Sequence, residues 1–279
     1  MSRKTSFVDI LDYCLQKKKI APPVFNRTGL QVQQEVMREE PDPRAIEQLI
    51  TYDPTLTSQI LRIANSAFFK GLSEITTIRN AIVRLGMKEI ANIALLASQK
   101  SNFTSKYRTI RAAMQSLWVH SVACAIAAQW IALNCGMKSK AQEAFTAGLL
   151  HDMGKLYILI ITEALKRRGN LRQVPSEMIL HEALNRLHTR YGHELLTLWN
   201  LPEVYAVIAR DHHLEEFDDT NILLVIVRLA DLACNRQGIG LLPDFDLILA
   251  ATPEADCLGM SEIQIAQLEI RLEDAVSLS

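Results

Sequence analysis

The segment Ala147-Gly148-Leu149-Leu150-His151-Asp152-Met153-Gly154-Lys155 decides how the chain is read. An apolar helical run ends in an imidazole beside a carboxylate, and a glycine and a cation follow. Consecutive helical residues diverge by about 100° around the axis, because one turn takes about 3.6 residues. His151 and Asp152 therefore fan out from one point, a geometry that grips one metal ion or bridges two. Lys155 lies four residues past His151 and three past Asp152, so a continuing helix puts it on the same face. A cation beside a metal, with no bulky neighbour at Gly154, suits an anionic ligand such as a phosphate. Taken alone, the dipeptide reads first as a buried His-Asp hydrogen bond that closes a core helix.

Composition narrows the class. The 279 residues hold one large or two modest domains, and a 49% hydrophobic content is ample for a core. Glycine and proline number 11 and 9, which favours long uninterrupted helices over turn-rich sheets. Lys plus Arg is 30 against 31 for Asp plus Glu, a balance that leaves no electrostatic footprint for nucleic acid or an anionic membrane. The five cysteines (Cys14, Cys124, Cys135, Cys234, Cys257) are scattered without a CxxC pair and read as reduced intracellular thiols. The N-terminus is polar, and the longest aliphatic run, 222–227, is far too short to span a bilayer. The expected location is the cytoplasm.

Helix signals recur along the whole chain. A short amphipathic helix over 6–16 is followed by a basic step, Lys17-Lys18-Lys19, and by Ala21-Pro22-Pro23, which forces an extended entry. Asp42-Pro43 and Asp53-Pro54 each set a capping carboxylate before a proline at the first helical position, opening helices over 44–52 and 55–65. Gly86 stops the next helix, and another runs over 87–98. The polar segment 100–107 marks a boundary. A long helix over 108–134 then ends at Cys135-Gly136, and a helix pair over 140–161 carries His151 and Asp152. Pro175-Ser176 opens a helix with His181 and His188, another ends at Asp211-His212-His213, and 222–234 carries Asp231. The last helix, 262–276, starts with a Ser261/Gln264 capping box. With no strand pattern, the expected fold is all-α.

Two motifs carry a resemblance. Leu149 to Lys155 looks like the signature of the HD superfamily of helical metal-dependent phosphohydrolases. The order "DPxLTxxxLRxANSAFF" from Asp53 to Phe69, then "AIxRLG" from Ala81 to Gly86, is very similar to the signature of the HDOD branch, which is associated with bacterial signalling. The resemblance implies an N-terminal helical HDOD subdomain over 1–105, an HD-type metal-binding bundle over 106–237, and a helical tail over 238–279 packed on it. Within the first motif, Asn65, Ser66, Phe68 and Phe69 read either as a recognition surface or hinge, or as a helix end whose polar groups satisfy backbone and whose rings fill the core.

All seven histidines fall between 120 and 213. Imidazoles from separate helices of a bundle can converge on an interior site. In the related HD-GYP phosphodiesterases a binuclear centre uses ligands of these types in this order. The resemblance thus implies metal ligation by His120, His151, Asp152, His188, His212, His213 and Asp231. Asp152 and Lys155 are the implied catalytic pair, with Lys155 on substrate phosphate or behind the ligands. His188 is chosen because the run from His188 to Pro202 matches the family's "HxxxGxxLLxxWxLP", which leaves His181 and His193 outside. One or two divalent transition-metal ions are expected, with iron, manganese, zinc and nickel all suited to imidazole and carboxylate. Ser116 stands where some HD-GYP proteins place a further carboxylate, which argues against a third ion, and 214–220 lacks the glycine-rich "GYP" loop. Two functions stay open: a signalling or regulatory module that binds a protein partner or a small phosphorylated ligand, and a metal-dependent phosphohydrolase acting on a nucleotide or phosphodiester.

Overall fold

Helix caps set by short-range chemistry open the fold. Asp42 Oδ1 accepts from Arg44 N at 2.9 Å, and Asp53 Oδ1 accepts from Thr55 N and Leu56 N. A computed structural model describes residues 6–17, 20–23, 26–66, 68, 69, 71, 73–241 and 243–276. Lys18 and Lys19 of the basic step lie outside the described residues, whereas Lys17 is exposed. Among the described residues the structure is helical without a strand, as expected. The helices are α1 (Phe7–Gln16), α2 (Thr28–Val36), α3 (Pro43–Thr51), α4 (Pro54–Ala64), α5 (Ile78–Leu85), α6 (Met87–Lys100), α7 (Arg108–Asn134), α8 (Ala141–Leu150), α9 (Met153–Arg167), α10 (Glu177–Leu198), α11 (Glu203–Asp211), α12 (Ile222–Arg236), α13 (Pro253–Cys257) and α14 (Glu262–Val276). The Ser261/Gln264 capping box forms, with Gln264 N donating to Ser261 Oγ at 3.3 Å and Ser261 N to Gln264 Oε1 at 3.0 Å.

Two apolar cores result. Helices α2 to α6 enclose Val32, Ile46, Ile60 and Ile90, while α7 to α14 enclose the larger core around Phe145, Leu156, Leu229 and Leu272. Helix α6 belongs to both, with Ala94 and Ala97 in the first and Leu95 and Leu96 in the second. Helix α1 packs with the second core through Val8, Leu11 and Leu15, and the Tyr191 hydroxyl of α10 donates to the Asp12 carboxylate of α1.

The end of α4 is a backbone clamp. Asn65 Nδ2 donates to the carbonyls of Leu61 and Ile75 at 2.9 and 2.8 Å, and its Oδ1 accepts from Ile75 N at 2.8 Å. Phe69 packs against the first core and Phe68 lies under the Arg271 guanidinium of α14 at 4.3 Å. Asn65 thus satisfies backbone and the rings pack, as in the second of the two readings, whereas the buried Ser66 hydroxyl has no hydrogen-bond partner.

Two helical stretches, 108–134 and 138–167, are long and apolar enough to cross a membrane, contrary to the estimate from aliphatic runs alone. They are core helices, 72% and 94% of their most apolar windows being buried in the fold. A helix apolar on all sides is covered by a core or by a membrane, and here the protein itself covers most of both stretches.

Two glycines set the spacing of the ligand-bearing helices. A Cβ on Gly148 would lie 2.7 Å from the Cys124 carbonyl of α7, and one on Gly154 would lie 1.9 Å from the His188 carbonyl of α10. Gly154 therefore faces another backbone, which corrects its reading as room for an anion.

Candidate metal centre

Helix α8 stops at Leu150 and α9 starts at Met153, so His151 and Asp152 form the joint between them. Asp152, at φ −101° and ψ 13°, bends the chain. Its carboxylate is wholly buried and turns one oxygen each way. Oδ2 lies 3.5 Å from His120 Nε2 of α7 and 3.6 Å from His151 Nε2. Oδ1 lies 3.6 Å from both His188 Nε2 of α10 and His212 Nε2 at the end of α11. Asp231 of α12 completes the first side, with Oδ1 3.1 Å from His120 Nε2 and 3.9 Å from His151 Nε2. His213, half-exposed, lies by both sides, its ring centroid 4.1 Å from that of His212 and its Nδ1 4.0 Å from Asp231 Oδ2. All seven residues expected as ligands thus meet at one interior place. His181 and His193 do not join them; each lines a separate shallow cleft. Ser116 turns its hydroxyl toward the Gly240 carbonyl, 3.5 Å away.

The tautomers follow from the backbone. His120 Nδ1 donates to the Ile239 carbonyl at 2.9 Å, His151 Nδ1 to Gly148 at 2.7 Å, His188 Nδ1 to Leu184 at 2.8 Å, and His212 Nδ1 to Ile208 at 3.1 Å. A carbonyl oxygen only accepts, so each Nδ1 carries a hydrogen, and wherever the ring is neutral Nε2 presents its lone pair inward. Such second-sphere anchoring is typical of metal-bound histidine. His151 Nε2, His188 Nε2, His212 Nε2 and Asp152 Oδ1 have no hydrogen-bond partner although fully buried. Buried polar atoms are almost always paired. Four unpaired acceptors pointing at one another are what a bound cation resolves, so the donor set fits the expected metal.

Charge tells the same story. Burial drives the pKa of His151 down to about 3 and that of His213 to about 4, and it holds His188 well below the usual imidazole range. These rings are neutral and ready to ligate. Burial would raise the two carboxylates, but the Lys155 ammonium holds Asp152 well below the usual range, and the His120 hydrogen bond does the same for Asp231. Burial opposes a charge on His120 as well, yet it is outweighed by its neighbours, including Asp231, and the pKa rises.

A cleft of about 410 Å³ opens over the centre, lined by Asp152, Lys155, Asn185, His188, Arg210 and His213 among others. Lys155 Nζ, nearly buried, donates to Asp152 Oδ2 at 2.6 Å, so it touches the carboxylate shared by both sides and still faces the cleft. Three groups escaped the sequence reading. Arg210 lines the cleft mouth. Asn235 Nδ2 donates to Asp231 Oδ1 at 3.2 Å from one turn further along α12. Arg228, the lone cation within the apolar run of α12, donates to the carbonyls of His212 and Leu214 at 2.7 and 2.8 Å, fixing the turn that carries His212 and His213. Its position one turn before Asp231 was the available signal.

The sequence profile of the HDOD domain matches residues 23–214. The chain belongs to the HDOD family. An HDOD domain protein of unknown function from Geobacter sulfurreducens has the same fold, with a TM-score of 0.76 at 19% identity over 96% of this chain and 95% of that one. So does a candidate metal-dependent phosphohydrolase from Shewanella amazonensis, with a TM-score of 0.73 at 18% identity over 98% of both chains. A candidate signal transduction protein from Marinobacter aquaeolei gives 0.68 at 17% identity, over 96% of this HDOD chain and 59% of that protein. An uncharacterised protein of Treponema pallidum is 24% identical over 190 residues, 66% of this chain and 36% of that relative. The chain thus spans about a third of the curated relative it matches.

Proposed function

We propose that this HDOD protein is a bacterial signal-transduction or regulatory module that binds divalent transition-metal ions in its second half and a small phosphorylated ligand or a protein partner over them. The observation that carries the reading is the convergence of three partnerless Nε2 atoms on the two-faced carboxylate of Asp152. One ion would be held by His120, His151, Asp152 and Asp231, a second by Asp152, His188, His212 and His213. Iron, manganese, zinc and nickel all accept this donor set. The signal-transduction description of the Marinobacter protein supports the regulatory role. Five free cysteines suit a cytoplasmic location.

A second reading is hydrolysis of a nucleotide or phosphodiester. The open cleft over Asp152 and Lys155 favours it, as does the phosphohydrolase description of the Shewanella protein. Ions bound in such a centre supply an activated water and stabilise charge developing on a phosphoryl group. The chain's own share is positional. Asp152 faces both ligand sets, Lys155 offsets its charge, and Lys155 and Arg210, each paired with a carboxylate (Asp152 and Asp211), bring N–H donors for phosphate oxygens to the cleft.

Elemental analysis of protein purified without added metal tests the centre. Stoichiometric transition metal is expected, and near-zero content with no uptake on soaking would overturn it. Turnover of bis(p-nitrophenyl) phosphate by the loaded protein, lost in Asp152→Asn, would establish the hydrolytic reading over the regulatory one.

A further inference from the structure

Cys124 lies four residues after His120 on α7, hence on the same helical face, and is fully buried. Its Sγ is 3.5 Å from His120 Nε2. Donor atoms of His120, Cys124, His151 and Asp231 all lie within 4.8 Å of one another, and one of them, His151 Nε2, has no partner. With metal–sulfur and metal–nitrogen bonds of about 2.3 and 2.0 Å, a tetrahedral zinc ion spaces its sulfur and nitrogen donors about 3.5 Å apart. The observed separation meets that requirement. Cys234 adds the second half of the arrangement. It sits three residues after Asp231 on α12, and its Sγ is 3.5 Å from that of Cys124. Both thiols thus ride on helices that already carry ligands, one turn beyond each.

We propose that Cys124 is a thiolate ligand of the first ion, completing a tetrahedral set with His120, His151 and Asp231 in place of Asp152, whose Oδ2 is already held by Lys155, and that Cys234 donates its S–H to that thiolate. The proposal rests on the reading that the cluster binds metal. On ligation the Cys124 thiol proton leaves to solvent and a sulfur–metal bond forms, with no change of oxidation state. A thiolate has no hydrogen to give, so Cys234 becomes the donor across the Sγ–Sγ contact. The soft donor makes this side of the centre select thiophilic ions such as zinc, iron or cobalt over manganese, while the all-imidazole and carboxylate second side keeps no such bias. A buried cysteine is commonly an inert apolar filler. This one differs in facing three other donors across a gap of ligand dimensions.

The test is spectroscopic. Protein stripped of metal is reloaded with Co(II), and its metal content and near-ultraviolet absorption are recorded for the wild type, Cys124→Ser and Cys234→Ser. The proposal expects a sulfur-to-cobalt charge-transfer band in the wild type, its retention with a shift in Cys234→Ser, and its loss in Cys124→Ser with metal still bound. X-ray absorption fine structure of the zinc-loaded wild type, which needs no variant to fold, should show a sulfur neighbour at about 2.3 Å. Cobalt or zinc bound with only nitrogen and oxygen neighbours would overturn the role of Cys124 and leave the metal centre standing. Failure of the wild type to take up any metal would overturn both. A band that persists in Cys124→Ser would trace to another thiol, such as the exposed Cys257, and also overturn it.

Discussion

Arg228 and Glu254 pair inside the protein, Nη2 to Oε1 at 2.7 Å and Nε to Oε1 at 2.8 Å, with Glu254 almost completely buried. The same guanidinium holds the carbonyl of a ligand residue, His212. Arg228→Met should therefore do two things. Stranding Glu254 should cost about 3–5 kcal/mol, the usual result of removing one partner of a buried pair. Loosening the 212–214 turn should weaken metal binding on the second side. Adding Glu254→Gln should recover much of the stability but not the metal affinity, which urea melts and metal titrations would separate. Full recovery of both would mean that Arg228 has no hold on the ligand turn.

The two sides of the centre should empty independently. His188→Ala should lower a two-ion content toward one per chain, and His120→Ala should do the same from the other side. His151→Ala combined with Asp152→Ala should abolish binding, since Asp152 faces both sets. At free metal a thousandfold above its dissociation constant, the loss of one ion lowers stability by about 4 kcal/mol, so the double variant should melt earlier yet stay helical. A regulatory module would keep most of its cellular effect in that variant at normal abundance. A deletion-like phenotype would favour the hydrolytic reading.

Lys155→Met removes a donor bound at 2.6 Å to the shared carboxylate. Metal content should hold or rise, because an ammonium is not a ligand and competes with cations for Asp152 Oδ2. Inorganic phosphate should bind the loaded variant more weakly by about tenfold or more, the worth of one charge-assisted hydrogen bond at about 1.5–3 kcal/mol. Lost metal with unchanged phosphate affinity would reverse this assignment.

Metal-free protein should be acid-sensitive well above the carboxylate range. His151 and His188 have folded pKa values below the unfolded value of about 6.5, His151 at about 3. Between those values the unfolded chain binds more protons, so stability is present above about 6.5 and is lost as pH falls toward 3. Each unmatched proton contributes about 1.4 kcal/mol per pH unit. His120, whose folded pKa is raised, is protonated in both states below about pH 6 and adds no slope there, so denaturant melts of chelated protein at about pH 6 and about pH 4.5 should show the loss, and a flat profile would mean that His151 and His188 are not held neutral.

Local signals were legible in the sequence and tertiary ones were not. Asp42, Asp53 and Ser261 cap helices through bonds spanning two or three residues, so their patterns could be read directly. His151-Asp152 was visible for the same reason. The roles of Arg228 and Glu254, 26 residues apart, depend on which helices come to lie together, and neither carries a local pattern. Cys124 read as a scattered thiol because its partners, Asp231 and Cys234, arrive on a helix more than a hundred residues later. Gly154 drew attention to the cleft when its neighbour was the α10 backbone. The packing of α1 against the second core likewise rests on contacts such as Tyr191 to Asp12.

The approach of α9 to α10 at Gly154 makes the main chain itself the gauge of the centre. His188 sits across a contact in which two backbones touch, and Asp152 is two residues from the glycine that permits it. The distance between the two ligand sets is therefore insulated from the side chains around them. One methyl group on residue 154 would change it at once, acting as a shim between the halves of the site.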